Sequence, residues 1–231
     1  MSQTRRRLLA AGVSGIAGLA LTGAAPQAKV APKPIGDEGV GPGEDLMREH
    51  GVLNRILLIY DEGIRRIREH QPFAPDAIHS AAAIIKRFLE DYHERLEEEH
   101  LFPRFERAGK QADLVGVLRK QHQAGRQLTA TILERTTAAA AAKDAATSAL
   151  AEALGQFVRM YRPHEAREDT VLFPAFRDLV SKDEYERLGE AFESQETKVL
   201  GEKGYERIVG EVAQIERTLG IYELASFTPR L

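Results

Sequence analysis

The sequence predicts an all-α protein, an up-down-up-down four-helix bundle with extra C-terminal helices. Three observations carry this. Apolar residues recur at three- and four-residue steps along four long stretches. No useful length of chain shows the apolar–polar alternation of a strand. A segment also repeats: His93-Glu94-Arg95-Leu96-Glu97 running on to Leu101-Phe102-Pro103 returns as His164-Glu165-Ala166-Arg167-Glu168 running on to Leu172-Phe173-Pro174. A further histidine precedes each copy, His50 by 43 residues and His122 by 42, which turns the chain into two similar helical hairpins. Four long helices joined by short turns favour antiparallel neighbours.

Residues 1–28 read as a twin-arginine-like signal peptide. Thr4-Arg5-Arg6-Arg7-Leu8-Leu9 is a basic patch that opens an uncharged, Gly- and Ala-rich stretch. Residues 29–43, with three prolines and four glycines, read as a flexible linker. Residues 44–220 form the domain, with its bundle core at 44–180. The first helix, 44–70, carries Leu46, Leu53, Leu57, Tyr60, Ile64 and Ile67 on one face, and Gln71-Pro72-Phe73-Ala74-Pro75 ends it. The second opens at Asp76, carries Ile84, Ile85, Phe88, Leu89, Tyr92 and Leu96, reaches the Leu-Phe-Pro element and stops at Gly109. A third covers about 111–139, with Leu114, Val117, Leu118, Leu128 and Ile132 inward; the repeat places a turn near 142, inside an alanine-rich run. The fourth runs over about 145–180, with Leu150, Leu154, Phe157, Val158 and Tyr161 inward, and two shorter helices follow at about 182–197 and 202–219.

Counting residues from the turns tests whether the histidines meet. His50 lies 23 residues before a turn near 73 and His93 20 after it; His122 lies 20 before a turn near 142 and His164 22 after it. At about 1.5 Å per helical residue, each pair then differs in height by only a few Å. Histidine and glutamate four apart share one helix face, so His93 with Glu97 and His164 with Glu168 each offer a nitrogen and a carboxylate to one place. His50 and His122 complete a set of four imidazoles and two carboxylates, enough to hold two cations a few Å apart. Imidazole and carboxylate donors suit iron or manganese, and a di-iron centre inside a four-helix bundle is an established use of such a set.

The segments DYHERLEEEHLFPRF and YRPHEAREDTVLFPAF, supported by MREHGVLNRIL and RKQHQAGRQL, resemble the hemerythrin family in its HHE cation-binding branch, over roughly residues 44–180. The resemblance implies two iron ions joined by an oxo or hydroxo bridge, with His93, Glu97, His164 and Glu168 as ligands from the second and fourth helices and His50 and His122 from the first and third. The whole layout is also similar to bacterial di-iron proteins of nitrosative-stress defence and iron-centre repair. Their cysteine-bearing N-terminal region has no counterpart in this cysteine-free chain. Oxygen-carrying relatives present two histidines four apart on the third helix, whereas the positions four from His122 are Leu118 and Arg126. That difference favours redox chemistry over reversible oxygen storage.

The other histidines have duller expectations. His70 ends the first helix, about 30 Å along the axis from His50, and His79 lies about 21 Å from His93. His100, seven residues after His93, and Tyr161, three before His164, are candidates to support the ligands from behind. Pro163 and Gly125 stand beside the ligands His164 and His122, one removing a helical hydrogen bond and the other leaving space. With no cysteine there are no disulfides, thiolate ligands or thiol nucleophiles. Removing residues 1–28 takes away three arginines and no acid, so a formal charge of -3 becomes -6, which gives no reason to expect nucleic-acid binding. The expected protein is periplasmic or otherwise exported, without a stable membrane anchor. It acts on oxygen, peroxide or nitric oxide, with a non-enzymatic carrier or sensor and an iron storage or exchange protein as alternatives.

Overall fold

The structure is a computed structural model that describes residues 40–140 and 144–229. The signal-peptide reading, most of the linker and the expected turn near 142 lie outside the described residues. Six helices follow one another, and no strand occurs among the described residues. Helix α1 spans Pro42–Arg68 and α2 spans 75–108. Helix α3 covers Ala112–Ala140 and α4 covers 144–179, while α5 (Lys182–Leu200) and α6 (Gly204–Leu219) close the chain before a short 3-10 turn, Leu224–Phe227. The first helix therefore begins two residues inside the stretch read as linker, at Pro42, whose missing N–H costs nothing in a first turn. No described helix is long and apolar enough to cross a membrane.

Sequence periodicity explains the core. On α1, Leu46, Leu53, Leu57 and Tyr60 are almost wholly buried, and on α2 so are Ile84, Ile85, Phe88, Leu89, Tyr92 and Leu96. On α4, Leu150, Leu154, Phe157 and Tyr161 complete the same layer. One position departs from expectation: Val117 is 50% exposed, and Val115 is the buried residue instead. The inward stripe of α3 runs through Val115, Leu118, His122, Thr129 and Ile132, and Val117 stands a helical step of about 100° outside it.

Helices α1 and α4, α3 and α4, and α2 and α3 pack as neighbours, with α1 against α2 closing the ring. Each descending turn is stopped chemically. His70 takes φ 52° at the end of α1, and Gly109 takes φ 62° at the end of α2, where Lys110 N–H donates to the Phe105 carbonyl. Helices α5 and α6 lie along α1 and α2 as an outer layer. Arg55 of α1 makes two bonds to the mostly buried Glu216 of α6, at 2.8 and 2.5 Å, and Tyr205 packs its ring 3.7 Å from the Arg48 guanidinium carbon.

The seam between α3 and α4 depends on one small residue. A Cβ on Gly125 would collide with the hydroxyl and ring of buried Tyr161. Replacing Gly125 with Ala should therefore lower stability by about 1–3 kcal/mol through overpacking. Thermal unfolding checks this, and the companion change Tyr161→Phe, which withdraws the hydroxyl, should recover part of the loss.

Candidate metal centre

The two helices that carry the glutamates, α2 and α4, are wound more loosely beside them. Within α2 the segments Ile85–His93 and Glu97–Leu101 are π-helical, and within α4 so is Glu168–Leu172. The Phe102 N–H donates to the carbonyl of Glu97 and the Phe173 N–H to that of Glu168, each five residues back. Proline supplies the reason. Pro103 and Pro174 have no N–H, and their rings would press on the carbonyl four residues earlier in an α-turn. A wider turn just before each proline relieves that clash, and such turns recur at functional sites. The Leu-Phe-Pro elements are thus not chain reversals; the helices run through them. Their phenylalanines have a place too: Phe102 stacks on His122 with ring centroids 5.4 Å apart, and Phe173 stacks on His50 at 5.5 Å.

All six expected ligands converge in two groups, His50 with His93 and Glu97, and His122 with His164 and Glu168. In each group one donor atom per residue lies within 4.8 Å of the others, and every member is buried. The outer nitrogen of each imidazole is engaged. His50 Nδ1–H donates to Asp169 Oδ1 at 2.7 Å, and His93 Nδ1–H to Glu49 Oε2 at 2.9 Å. His122 Nδ1–H donates to Glu98 Oε1 and His164 Nδ1–H to Gln121 Oε1, both at 2.9 Å. A carboxylate only accepts, so for three of the rings the proton must sit on Nδ1, and the lone pair is left on Nε2. The fourth follows the same pattern when the amide oxygen of Gln121 faces its ring.

Those four Nε2 atoms point at the two glutamates. His164 Nε2 lies 3.1 Å and His50 Nε2 3.5 Å from Glu168 Oε2, while His122 Nε2 lies 3.4 Å and His93 Nε2 3.8 Å from Glu97 Oε2. Each carboxylate therefore reaches an imidazole of both groups and spans the gap between them. None of the four carboxylate oxygens of Glu97 and Glu168 has a hydrogen-bond donor, and both residues are 0% exposed. A buried anion without donors is costly, and lone pairs aimed at it make matters worse. Cations between the two carboxylates resolve both problems, so the donor set fits a pair of metal ions.

In the metal-free site protons supply part of the missing positive charge instead. Burial pushes the Glu97 carboxyl well above its usual range, and the charge of nearby Glu168 adds to this. Burial opposes the Glu168 charge as well, but the imidazoles of His164, His50 and His122 outweigh it and hold that carboxyl low. Burial and the neighbouring rings of His50, His122 and His164 keep His93 neutral far below its ordinary value. For His50 burial is again the largest influence, yet the Asp169 hydrogen bond and the Glu168 charge together raise its pKa.

The remaining expectations fare unevenly. Tyr161 sits beside a ligand, with its ring 5.3 Å from that of His164, but its hydroxyl donates to Glu94 Oε1 at 2.7 Å and supports no ligand nitrogen. His100 packs its ring 5.4 Å from that of Phe192, and His79 bonds Thr136 at 2.9 Å, so both are occupied elsewhere. The residues that hold the outer nitrogens of the four imidazoles are Glu49, Gln121, Glu98 and Asp169. None of the four is among the supporting residues expected from the sequence. The repeat itself held the missing signal. Glu49 and Gln121 each stand one place before a predicted ligand, and Glu98 and Asp169 one place after.

Comparison with known proteins places this geometry. The family model described as Hemerythrin HHE cation binding domain matches residues 42–147. Uncharacterized proteins of Mycobacterium tuberculosis and Mycobacterium bovis are 53% identical over 186 residues, covering 80% of this chain and 73% of each relative. No solved structure matches the chain.

Two carboxyls near the ligands give the metal-free protein a pH signature. Burial raises Glu94 and Glu165 from 4.5 to about 7. An acid held high in the folded state favours folding below its unfolded pKa, and that contribution is lost as pH rises through the folded value. The thermal midpoint of metal-free protein should therefore carry a falling component between about pH 4.5 and 7 from these two groups. The double change Glu94→Gln and Glu165→Gln should flatten it; an unchanged slope would show that these carboxyls are not its source.

Proposed function

Because the chain belongs to the hemerythrin HHE cation-binding family, we propose that it holds two oxygen-bridged iron ions and meets oxygen, peroxide or nitric oxide there as a redox protein. Six residues would hold the pair: His50, His93 and Glu97 on one side, His122, His164 and Glu168 on the other. When bound, the pair would supply one-electron redox chemistry toward a small ligand. One observation carries the reading above all others: four imidazole lone pairs fixed by outer hydrogen bonds converge on two buried carboxylates that have no donors.

The residues' own tasks follow from their positions. Glu97 and Glu168 would tie the two halves of the bundle through the same atoms, so that a change of charge does not part them. The four Nδ1–H bonds hold each ring in one tautomer and one orientation, which removes the need to reorganise when charge changes. Phe102 and Phe173, stacked on His122 and His50, cover ring faces and keep water from them. Two imidazoles per side, against a larger number in oxygen carriers, leave each side short of a full donor shell, which favours turnover over reversible oxygen storage. Residues 1–28 carry the further proposal of export, with the protein working in the periplasm or another exported location.

Metal content and absorption of aerobically purified protein test the reading together. About two irons per chain with an oxo-to-iron charge-transfer band is the expected result. Both His122→Ala and Glu168→Ala should lose iron and the band. Retention of a single zinc, or of no metal after anaerobic iron reconstitution, would end the redox proposal.

A further inference from the structure

The two halves of the site are related by an internal repeat, and their surroundings can be compared position by position. Adding 72 to a number on α1 gives its counterpart on α3, and adding 71 to one on α2 gives its counterpart on α4. His50 then corresponds to His122, His93 to His164, Glu97 to Glu168 and Phe102 to Phe173. The supporting contacts obey the same rule. Glu98 accepts from His122 as Asp169 accepts from His50, and Phe102 stacks on His122 as Phe173 stacks on His50.

The rule breaks at two supporting positions. Glu49, a carboxylate, accepts from His93, but its counterpart Gln121, a neutral amide, accepts from His164. Asn54 donates to Glu165 Oε2 at 3.1 Å, but its counterpart Arg126 places a guanidinium 2.9 Å from Glu94 and 2.8 Å from Glu98. Both breaks act in the same electrical direction. Around His50 and His93 the four supporting positions carry three carboxylates and an amide. Around His122 and His164 they carry two carboxylates, an amide and a cation. The ligand sets themselves are identical, so the difference lies wholly behind them.

We infer that Gln121 and Arg126 make the two metal positions inequivalent, so that the His50–His93–Glu97 position keeps the more positive ion and the His122–His164–Glu168 position takes the first added electron. An imidazole whose N–H is held by a carboxylate is a stronger donor than one held by an amide, and it stabilises the higher charge on its metal. The Arg126 cation adds to this by disfavouring positive charge on its own side. The inference rests on the iron-pair reading above. The step is simple: one ferric ion gains one electron from an added reductant such as dithionite and becomes ferrous, with no bond made or broken in the protein.

The decisive change is Gln121→Glu, which restores the repeat and leaves all six ligands in place. Iron-loaded protein is titrated with dithionite, and the two one-electron midpoints are followed by absorption and by electron paramagnetic resonance of the half-reduced form. Glu49→Gln serves as the mirror variant on the other side. Changing a partner behind a ligand alters metal affinity or activity by about ten- to a hundredfold, and a tenfold change in a one-electron equilibrium is 59 mV. Gln121→Glu should lower the first midpoint by about that tenfold step, and Glu49→Gln should raise chiefly the second. The inference is overturned if the first midpoint answers equally to both variants, to Glu49→Gln alone, or to neither. Wild-type protein that binds no iron pair would instead remove the underlying functional reading, so the two failures are distinguishable. Circular dichroism of both variants confirms that the bundle is intact before the titrations are compared.

Discussion

The centre of this bundle is organised by a charge problem. Two glutamates are wholly enclosed, have no hydrogen-bond donor and lie against one another's charge. An apolar core would reject such a pair, since removing one ionised carboxylate from water costs several kcal/mol even after relaxation. Everything nearby is arranged around that cost. Four imidazoles face the carboxylates with lone pairs, and four outer acceptors hold the imidazoles in place. The arrangement is self-consistent only with positive charge between the carboxylates, which is why the cation-binding character of the family and the geometry of this chain agree.

The helices widen locally where they carry the two buried glutamates, and proline sets where. Pro103 and Pro174 forbid ordinary helical turns just after Glu97 and Glu168, and the chain answers with a wider segment before each proline rather than by ending the helix. The phenylalanine before each proline then bonds back to the glutamate's own carbonyl while stacking on a histidine from a neighbouring helix. A single tripeptide thus links the backbone of one ligand to the side chain of another. The repeat of that tripeptide is the repeat of this linkage.

Much of the site was legible because helical spacing is rigid. His93 with Glu97, His164 with Glu168, and the level of His50 and His122 follow from counting at 1.5 Å per residue, and the structure brings all six together. Val117 was misplaced because Leu114, Val115, Val117 and Leu118 all fit three- and four-residue steps on α3, and only packing decides that Val115 faces in. Glu49 and Gln121 were invisible for a different reason. A polar residue next to a ligand points about 100° away from it around its own helix, and only the neighbouring helix shows that the direction leads to His93 or His164. The π-helical segments were hidden too, because propensity does not separate a wide turn from an ordinary one. Tyr161 was correctly placed inward, but the partner of its hydroxyl lies on another helix, and counting along one helix cannot find it.

Within each metal-facing group all three donors come from one hairpin: His50, His93 and Glu97 from α1 and α2, His122, His164 and Glu168 from α3 and α4. Contacts that close over 43 or 42 residues are short-range by the standards of this chain, whereas the approach of His50 to Glu168 spans 118. Local contacts form at lower entropic cost and earlier than distant ones. Each hairpin can therefore gather its own nitrogens, and Glu97 can meet His122 across only 25 residues, so the long closure of Glu168 onto His50 comes last. The final folding event and the completion of the site are then the same event, so a chain whose halves have docked out of register carries no finished centre.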